Sequence, residues 1–512
     1  MKPQSLWIAT SEGGGFDRLQ RPVEADVAVL GAGIAGLTTA LLLKKEGLRV
    51  AVIEAAGICC ATTGHTTAKV SAQHGLIYER LAAKFGEDGA RTYAEANLVG
   101  LELIEALVDE HGIDCEWERR PAYAYTEQDS RVDAIEREVA AAQRAGLPAR
   151  YTEETDLPWP VKAAIRFEDQ AQFHPRRYCL GLARLIEGDG SRVFEHTRAL
   201  DVTDGSPCVV TTERHEVRAA FVVLATHLPF LDRGGFFAKC HPEREYVLAA
   251  AVEQPLPKGM YITVEKPTRS IRQHPVEGGE LLILGGDSHK TGQGGDTERH
   301  YAALGAFARE RFPLRSVESR WSTQDQMSVD RVPYIGRLRR RSGRLYVATG
   351  FNKWGMTGGT VAGLLIRDAV LGRDNGWAEL FDPHRIKPLA SARDLAKANL
   401  NVALRFVGDR IARRDGAVPE DLSPGEGKIA SVGRQRLATS RDAQGQVHVL
   451  SARCTHLGCI VSWNSAEATW DCPCHGSRFA QDGSVLEGPA VEPLEPEPTK
   501  LRSAPVTPSK ED

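Results

Sequence analysis

The chain has 512 residues, and 64 Lys+Arg against 68 Asp+Glu leave a net charge of −4 with a pI of 6.5. That balance excludes a general nucleic-acid binder, which would be basic. Hydrophobic content of 42% and charged content of 26% fit a soluble globular protein, of roughly two to four domains. The first residues, MKPQSLWIATSEGGG, hold no apolar core of signal-peptide length. No apolar run anywhere reaches the roughly 18 residues of a membrane helix, so no transmembrane segment and a cytoplasmic location are expected.

Residues 26–54 read DVAVLGAGIAGLTTALLLKKEGLRVAVIE. Asp26 to Leu30 predicts a buried strand, Ala35 to Glu46 a helix stopped by Gly47, and Arg49 to Ile53 a second strand. Gly31, Gly33 and Gly36 sit at the first turn of this βαβ unit. They suit a tight turn, a backbone close to a pyrophosphate, and close packing of helix on strand. The phosphates would rest on the helix N-terminus, where free N–H groups and the dipole favour anions. Glu54 ends the second strand, where a carboxylate can accept from a ribose. A glycine-rich turn without a ligand is the bland alternative. No second GxGxxG follows, and LGGDSHKTGQGG (284–295) has the wrong spacing. One nucleotide site suggests FAD as a resident cofactor.

Further motifs resemble the D-amino-acid oxidase and glycine oxidase group of FAD oxidoreductases, over roughly residues 25–385. The small-residue loop ATTGHTTAK (61–69) resembles the one that runs beside the pyrophosphate and flavin, which implies cofactor contacts for His65, Thr66 and Thr67. VVLATHLPF (222–230), with Ala225, resembles the strand returning to the nucleotide domain. DRVPYIGRL (330–338) and RLYVATGFNKWGMTGGTVAG (344–363) resemble the closing segment. There Gly350 ends a strand, and a helix starting around Gly355, Met356 and Thr357 would face the flavin. The resemblance implies an α/β, Rossmann-like FAD-binding domain (about 25–100, 155–240 and 325–385). An antiparallel-sheet substrate domain (about 100–155 and 240–325) is inserted in it.

His65 has two readings. In relatives that oxidise dimethylglycine and sarcosine, a histidine in a Thr-x-His context carries the flavin covalently; a hydrogen-bonding or structural histidine is the other reading. Cys59 and Cys60 read as small filler residues, because a bridge between neighbours is strained. The resemblance also implies an amine or amino-acid substrate whose carboxylate meets an arginine of the substrate domain. Arg272, in SIRQHP just before the strand ELLILGG, is the candidate. Tyr246, His174, Trp354 and Lys69 are further candidates, each with a structural alternative.

The pattern of the linker SARDLAKANLNVALRFVGDRIARR (391–414) predicts an amphipathic helix with Ser391 as a cap candidate. It would dock on the protein's own domains or, being basic, lie on a membrane surface. The linker is placed at 386–417, an all-β module at 418–505 and a tail at 506–512.

Four of the ten cysteines, Cys454, Cys459, Cys472 and Cys474, are clustered near the C-terminus. Cysteines clustered in this way in a cytosolic chain point to metal or redox chemistry. The two boxes, Cys454-Thr-His456-Leu-Gly-Cys459 and Cys472-Pro-Cys474-His475-Gly-Ser477, each supply Cys and His. That suits a Rieske [2Fe–2S] centre; structural zinc is the alternative. The boxes resemble Rieske proteins nearly letter for letter. The resemblance implies a small β-sandwich, with Cys454, His456, Cys472 and His475 as ligands and a disulfide between Cys459 and Cys474. Ser477 matches a serine that donates to a cluster sulfide. Phe479 stands where high-potential relatives have tyrosine, which implies a lower potential.

A flavin handles electron pairs and the cluster single electrons. The expected function is therefore oxidation of an amine or amino acid by hydride transfer to FAD. Single electrons would then pass through the cluster to an external acceptor, a one-electron carrier protein or a quinone. A reductase fed through the cluster and a redox sensor are the alternatives.

Overall fold

The computed structural model describes residues 4–341, 343–385, 422–432 and 435–497. The expected linker helix and C-terminal tail lie outside the described residues. Two compact units divide the chain: Met1–His289 with Arg299–Leu395, and Lys290–Glu298 with Ala396–Asp512. Lys290–Glu298 thus groups with the cysteine-rich module, although sequence reading placed it in the substrate part.

The first unit has two sheets. Its nucleotide sheet runs in the order Tyr334–Arg337, Leu345–Thr349, Glu216–Leu224, Val23–Leu30, Val50–Ile53, Arg192–Phe194. The last five strands are parallel to one another. They are mostly apolar, as strands buried on both faces must be. Helices Ile34–Lys45 and Gly355–Leu371 pack together, and Cβ positions on Gly359 and Gly363 would collide with Ile34 and Thr38. The sequence reading of strand, helix, strand holds to within a few residues: Val23–Leu30, Ile34–Lys45, Val50–Ile53.

The second sheet has nine strands. Leu314–Ser328, Cys240–Val252, Gly279–Lys290, Arg269–Val276 and Met260–Thr263 lead on to Glu118–Thr126, Ala163–Gln172 and Lys69–Val70. Ala149–Thr152 pairs with Ala163–Gln172. Leu314–Ser328 with Cys240–Val252, Gly279–Lys290 with Arg269–Val276, and Glu118–Thr126 with Ala163–Gln172 pair antiparallel, whereas Met260–Thr263 and Glu118–Thr126 run parallel. Ala163–Gln172 belongs here rather than to the nucleotide part, because its register partners are Glu118–Thr126. The long helix Tyr78–His111 begins where Glu138 accepts the backbone N–H groups of Ile77, Tyr78 and Glu79. This carboxylate from another helix does the work of an N-cap.

The second unit contains two antiparallel sheets. One is Gly427–Val432, Gln435–Arg441, Val447–Ser451; the other is Ser462–Asn464, Thr469–Asp471, Arg478–Phe479, Val485–Glu487. Within this unit Thr297 Oγ1 donates to Asn464 Oδ1 (2.8 Å) and accepts from Ala466 N–H (2.9 Å). Ser465 Oγ donates to Asp296 (2.8 Å). Gly292 lies so close to Pro473 that a Cβ would meet its Cα at 2.9 Å. Among the described residues no helix is long and apolar enough to cross a membrane.

Candidate functional site: a nucleotide cradle and a two-loop metal centre

Gly31 leaves the first strand at φ +101°, and Ala225 O lies 2.5 Å from where a Cβ would stand. A Cβ on Gly36 would lie 2.0 Å from Gly31 O. Both contacts demand glycine. Gly33 caps the helix without a side chain, so the helix N-terminus stays approachable. Glu54 Oε2 accepts from Ala32 N–H (2.8 Å) and Oε1 from Ala56 N–H (2.9 Å), while burial pushes its carboxyl up. It therefore shapes the turn. Ala225 N–H donates to Leu30 O (2.9 Å). Sequence reasoning missed Glu195, which accepts from Ile58 N–H (2.7 Å) and Phe16 N–H (3.0 Å) and fixes the adjoining loop. Its partners are remote in sequence, so no local signal marked it.

The loop that holds His65, Thr66 and Thr67 follows a 3-10 turn, Thr62–His65. Three elements pin it. Ser5 Oγ donates to Gly64 O (2.6 Å), Trp7 Nε1 to Thr66 O (2.7 Å) and Trp321 Nε1 to His65 O (2.8 Å). The N-terminal contribution was not legible from the sequence. His65 Nδ1 contacts Ala61 O at 2.9 Å. Thr66 Oγ1 accepts from Ala68 N–H (3.1 Å), and Thr67 Cγ2 packs on Gly285.

Lys69 is buried and donates to Tyr261 O (2.9 Å) and to Ser270 Oγ. Burial, with Arg272 nearby, pulls its ammonium down to about 7. Arg272 is 1% exposed, and its guanidinium lies 5.1 Å from the Trp7 ring. Nη2 donates to Phe173 O (3.4 Å), whereas Nε and Nη1 have no hydrogen-bond partner. His174 caps helix Pro175–Ile186, accepting from Arg177 N–H, and contacts Thr10 Oγ1 at 3.0 Å. Burial drives it down to about 3, which fits a structural role. Gly350 turns at φ +76° before Gly355–Leu371. Met356 is buried at the start of that helix, and Thr357 Oγ1 donates to Asn97 Oδ1 (2.8 Å). Trp354 stacks on His74 at 4.5 Å.

Tyr246 does not join this group. It alternates with Glu245 on its strand, so it points to the opposite face of the sheet. There it stacks on His300 (4.8 Å), meets Tyr301 edge-on, and its hydroxyl pairs with His289 Nε2 at 2.9 Å. The loop of His65 lies on the other face, where Gly285 touches both Thr67 and Glu245. Direct contact of Tyr246 with a substrate beside that loop is therefore corrected.

In the second unit the two boxes form matching loops. Cys454 N–H donates to Cys459 O and Gly458 N–H to Cys454 O, both at 2.8 Å. Cys472 N–H donates to Ser477 O (2.8 Å) and Gly476 N–H to Cys472 O (3.1 Å). Gly458 and Gly476 turn at φ +77° and +84°, which only glycine adopts readily. A disulfide joins Cys459 to Cys474, tying the loops. The sulfurs of Cys459, Cys472 and Cys474 lie within 4.8 Å of one another. Since the disulfide consumes two of them, Cys472 is left, and Cys454 lies within hydrogen-bond reach of it; these two thiols, with His456 and His475 from the same two loops, are the set that could hold a metal. The two imidazole rings stand 5.1 Å apart at 89°. Cys454 is pulled down to about 7 by hydrogen bonding with Cys472, against burial, helped by His456 N–H, the Ser477 hydroxyl and Leu457 N–H. Ser477 also accepts from Ala490 N–H (3.0 Å), and Phe479 is fully buried.

A glycine cradle at a helix N-terminus, with Thr63 Oγ1 accepting from Ile34 N–H at 3.3 Å, and a two-thiol, two-imidazole set define a flavoprotein with an iron–sulfur module. Residues 26–369 match the FAD dependent oxidoreductase family (DAO) and residues 416–503 the Rieske [2Fe-2S] domain. The chain belongs to the FAD-dependent oxidoreductases and carries a C-terminal Rieske domain; its cofactors are FAD and a [2Fe–2S] cluster. It is 40% identical over 494 residues to YhfW of Bacillus subtilis, named as a putative Rieske 2Fe-2S iron-sulfur protein, covering 96% of this chain and 97% of that one. It is 24% identical over 394 residues to the gamma-glutamylputrescine oxidoreductase of Escherichia coli, covering 72% and 87%. The fold of glycine oxidase from Geobacillus kaustophilus superposes with a TM-score of 0.60 at 20% identity, over 71% of this chain and 99% of that one.

Proposed function

We propose that the protein is a dehydrogenase that oxidises an amine or amino acid at a C–N bond and delivers single electrons to an external one-electron carrier or quinone. When bound, FAD accepts a hydride from the carbon next to nitrogen and the cluster passes on one electron at a time. The observation that carries the reading is the pairing, in one chain, of an amine-oxidoreductase family fold with a Rieske module. Gly31, Gly33 and Gly36 would hold the pyrophosphate, and the pinned loop His65–Thr67, with the Gly350–Thr357 segment, would wall the flavin. For an amino-acid substrate, Arg272 would hold the carboxylate; its two nitrogens without partners support this, whereas the cover by Trp7 speaks for an amine without one.

Anaerobic titration with a panel of amines and amino acids, followed by absorbance and EPR, tests the reading. A substrate is expected to bleach the flavin, with cluster reduction following. A panel in which nothing reduces the flavin sinks it. Acid precipitation tests a covalent bond at His65: yellow colour left wholly in the supernatant rules it out.

A further inference from the structure

The Cys240–Val252 and Leu314–Ser328 strands pair with Glu243 opposite Asp325 and Glu245 opposite Thr323. Directly opposed residues of an antiparallel pair share a face, so these four polar side chains form one patch. It is the face that carries the His65 loop, through Trp321 and through the contact of Gly285 with Thr67 and Glu245.

The cations on this patch are shared unequally among its carboxylates. Lys353 Nζ binds Glu245 Oε2 at 2.7 Å and Glu243 Oε2 at 3.5 Å. Against burial, a hydrogen bond with His241 and the nearby Lys353 and Arg331 hold Glu243 down to about 2. Lys353 is locked in this role. It and Asn352 both adopt left-handed backbone, at φ +74° and +55°, a conformation that side chains other than glycine adopt only when their surroundings hold them there. The Asn352 side chain enforces it, donating to Gly350 O (2.6 Å) and accepting from Ser328 N–H (2.9 Å). Asp325 is left as the third carboxylate. It is 9% exposed and takes a hydrogen bond from the Lys353 backbone rather than the Lys353 ammonium. Burial drives its carboxyl up to about 7, helped by Glu245 and Glu243 and only partly offset by the charge of Lys353. Two residues away on the same face, Thr323 is 8% exposed and its Oγ1 has no hydrogen-bond partner. A buried carboxylate lacking its own cation, next to a buried hydroxyl lacking its own partner, is half of a polar site.

We propose that Asp325, with Thr323 beside it, receives the ammonium group of a substrate that is a net-cationic amine rather than an amino acid. The patch offers a substrate carboxylate no unpaired cation, because Lys353 is held by Glu245 and Glu243 and Arg331 stands beside Glu243, and Arg272 lies beneath Trp7. The inference rests on the amine-oxidation reading and narrows its substrate class.

The test uses the FAD- and cluster-loaded full chain. Calorimetric titration with butyltrimethylammonium, which lacks a nitrogen lone pair and so is not a substrate, is expected to show binding that butyrate does not. Asp325→Asn is expected to weaken it at least tenfold, Thr323→Val severalfold, and Asp325→Glu to restore part. In anaerobic stopped flow, putrescine is expected to reduce the flavin, with its half-saturating concentration raised at least tenfold in Asp325→Asn. Glycine and L-proline are expected not to reduce it. Flavin reduction by the amino acids, or cation binding indifferent to Asp325→Asn, overturns the inference and leaves the oxidation reading standing. No reduction by either class, with cation binding intact, overturns the oxidation reading alone; no reduction and no cation binding overturns both.

Discussion

Ser477 offers a sharp test of how this chain sets the cluster potential. The residue is fully buried. Its hydroxyl helps hold the Cys454 thiol down and accepts from Ala490 N–H at 3.0 Å, so it stands where it can donate to a sulfur of the bound cluster. Reduction adds negative charge to the cluster and its sulfurs, so a donor there binds the reduced form more tightly. A hydrogen bond to a charged group is worth about 1.5–3 kcal/mol. If about half of that differs between redox states, Ser477→Ala lowers the midpoint by roughly 30–65 mV, since a one-electron couple moves about 59 mV per tenfold. The same change leaves the buried Ala490 N–H without its acceptor, at a separate stability cost of about 1–3 kcal/mol. EPR-monitored redox titration reads the first effect and thermal bleaching of the cluster the second. A destabilised protein with an unshifted midpoint would refute the argument, because it leaves Ser477 only a packing role. Phe479→Tyr should move the midpoint the other way by adding a donor.

Gly36→Ala forces a Cβ to 2.0 Å from Gly31 O, so the purified variant should lose most of its FAD, read as the flavin-to-protein absorbance ratio. Thr297→Val removes the hydroxyl bonded to Asn464 and Ala466. It should destabilise the cluster unit by about 1–3 kcal/mol, seen as earlier cluster bleaching on heating with the flavin transition unmoved. Asp325 has a folded pKa raised to about 7 from an ordinary value of 3.8. Its neutral form therefore favours folding below the ordinary value, and this contribution is lost as pH rises through 7. Asp325→Asn should then match wild-type melting near pH 4 and exceed it above pH 7; equal melting at pH 8 would remove the basis for a raised carboxyl.

Local chemistry made the cofactors legible. GAGIAG between two apolar runs specifies strand, turn and helix within one short stretch, because Gly36 and its neighbours answer contacts inside or beside that unit. The two Cys-His boxes likewise carry their ligands, turn glycines and disulfide partners between Cys454 and Ser477. What only the tertiary structure decided is which distant residues share a face. Strand alternation puts Tyr246 against His289 and His300, next to Glu245 in the chain but on the other side of the sheet. The N-terminal Ser5 and Trp7 pin the loop of Gly64 and Thr66, Lys290–Glu298 joins the cluster unit, and Asp325 meets Glu243 across a strand pair. No spacing rule encodes such meetings. They are set by sheet register and burial, which arise only once the whole chain has packed. The sequence therefore determined that the protein holds FAD and a Rieske cluster, and the fold decided which charges stand beside the flavin loop.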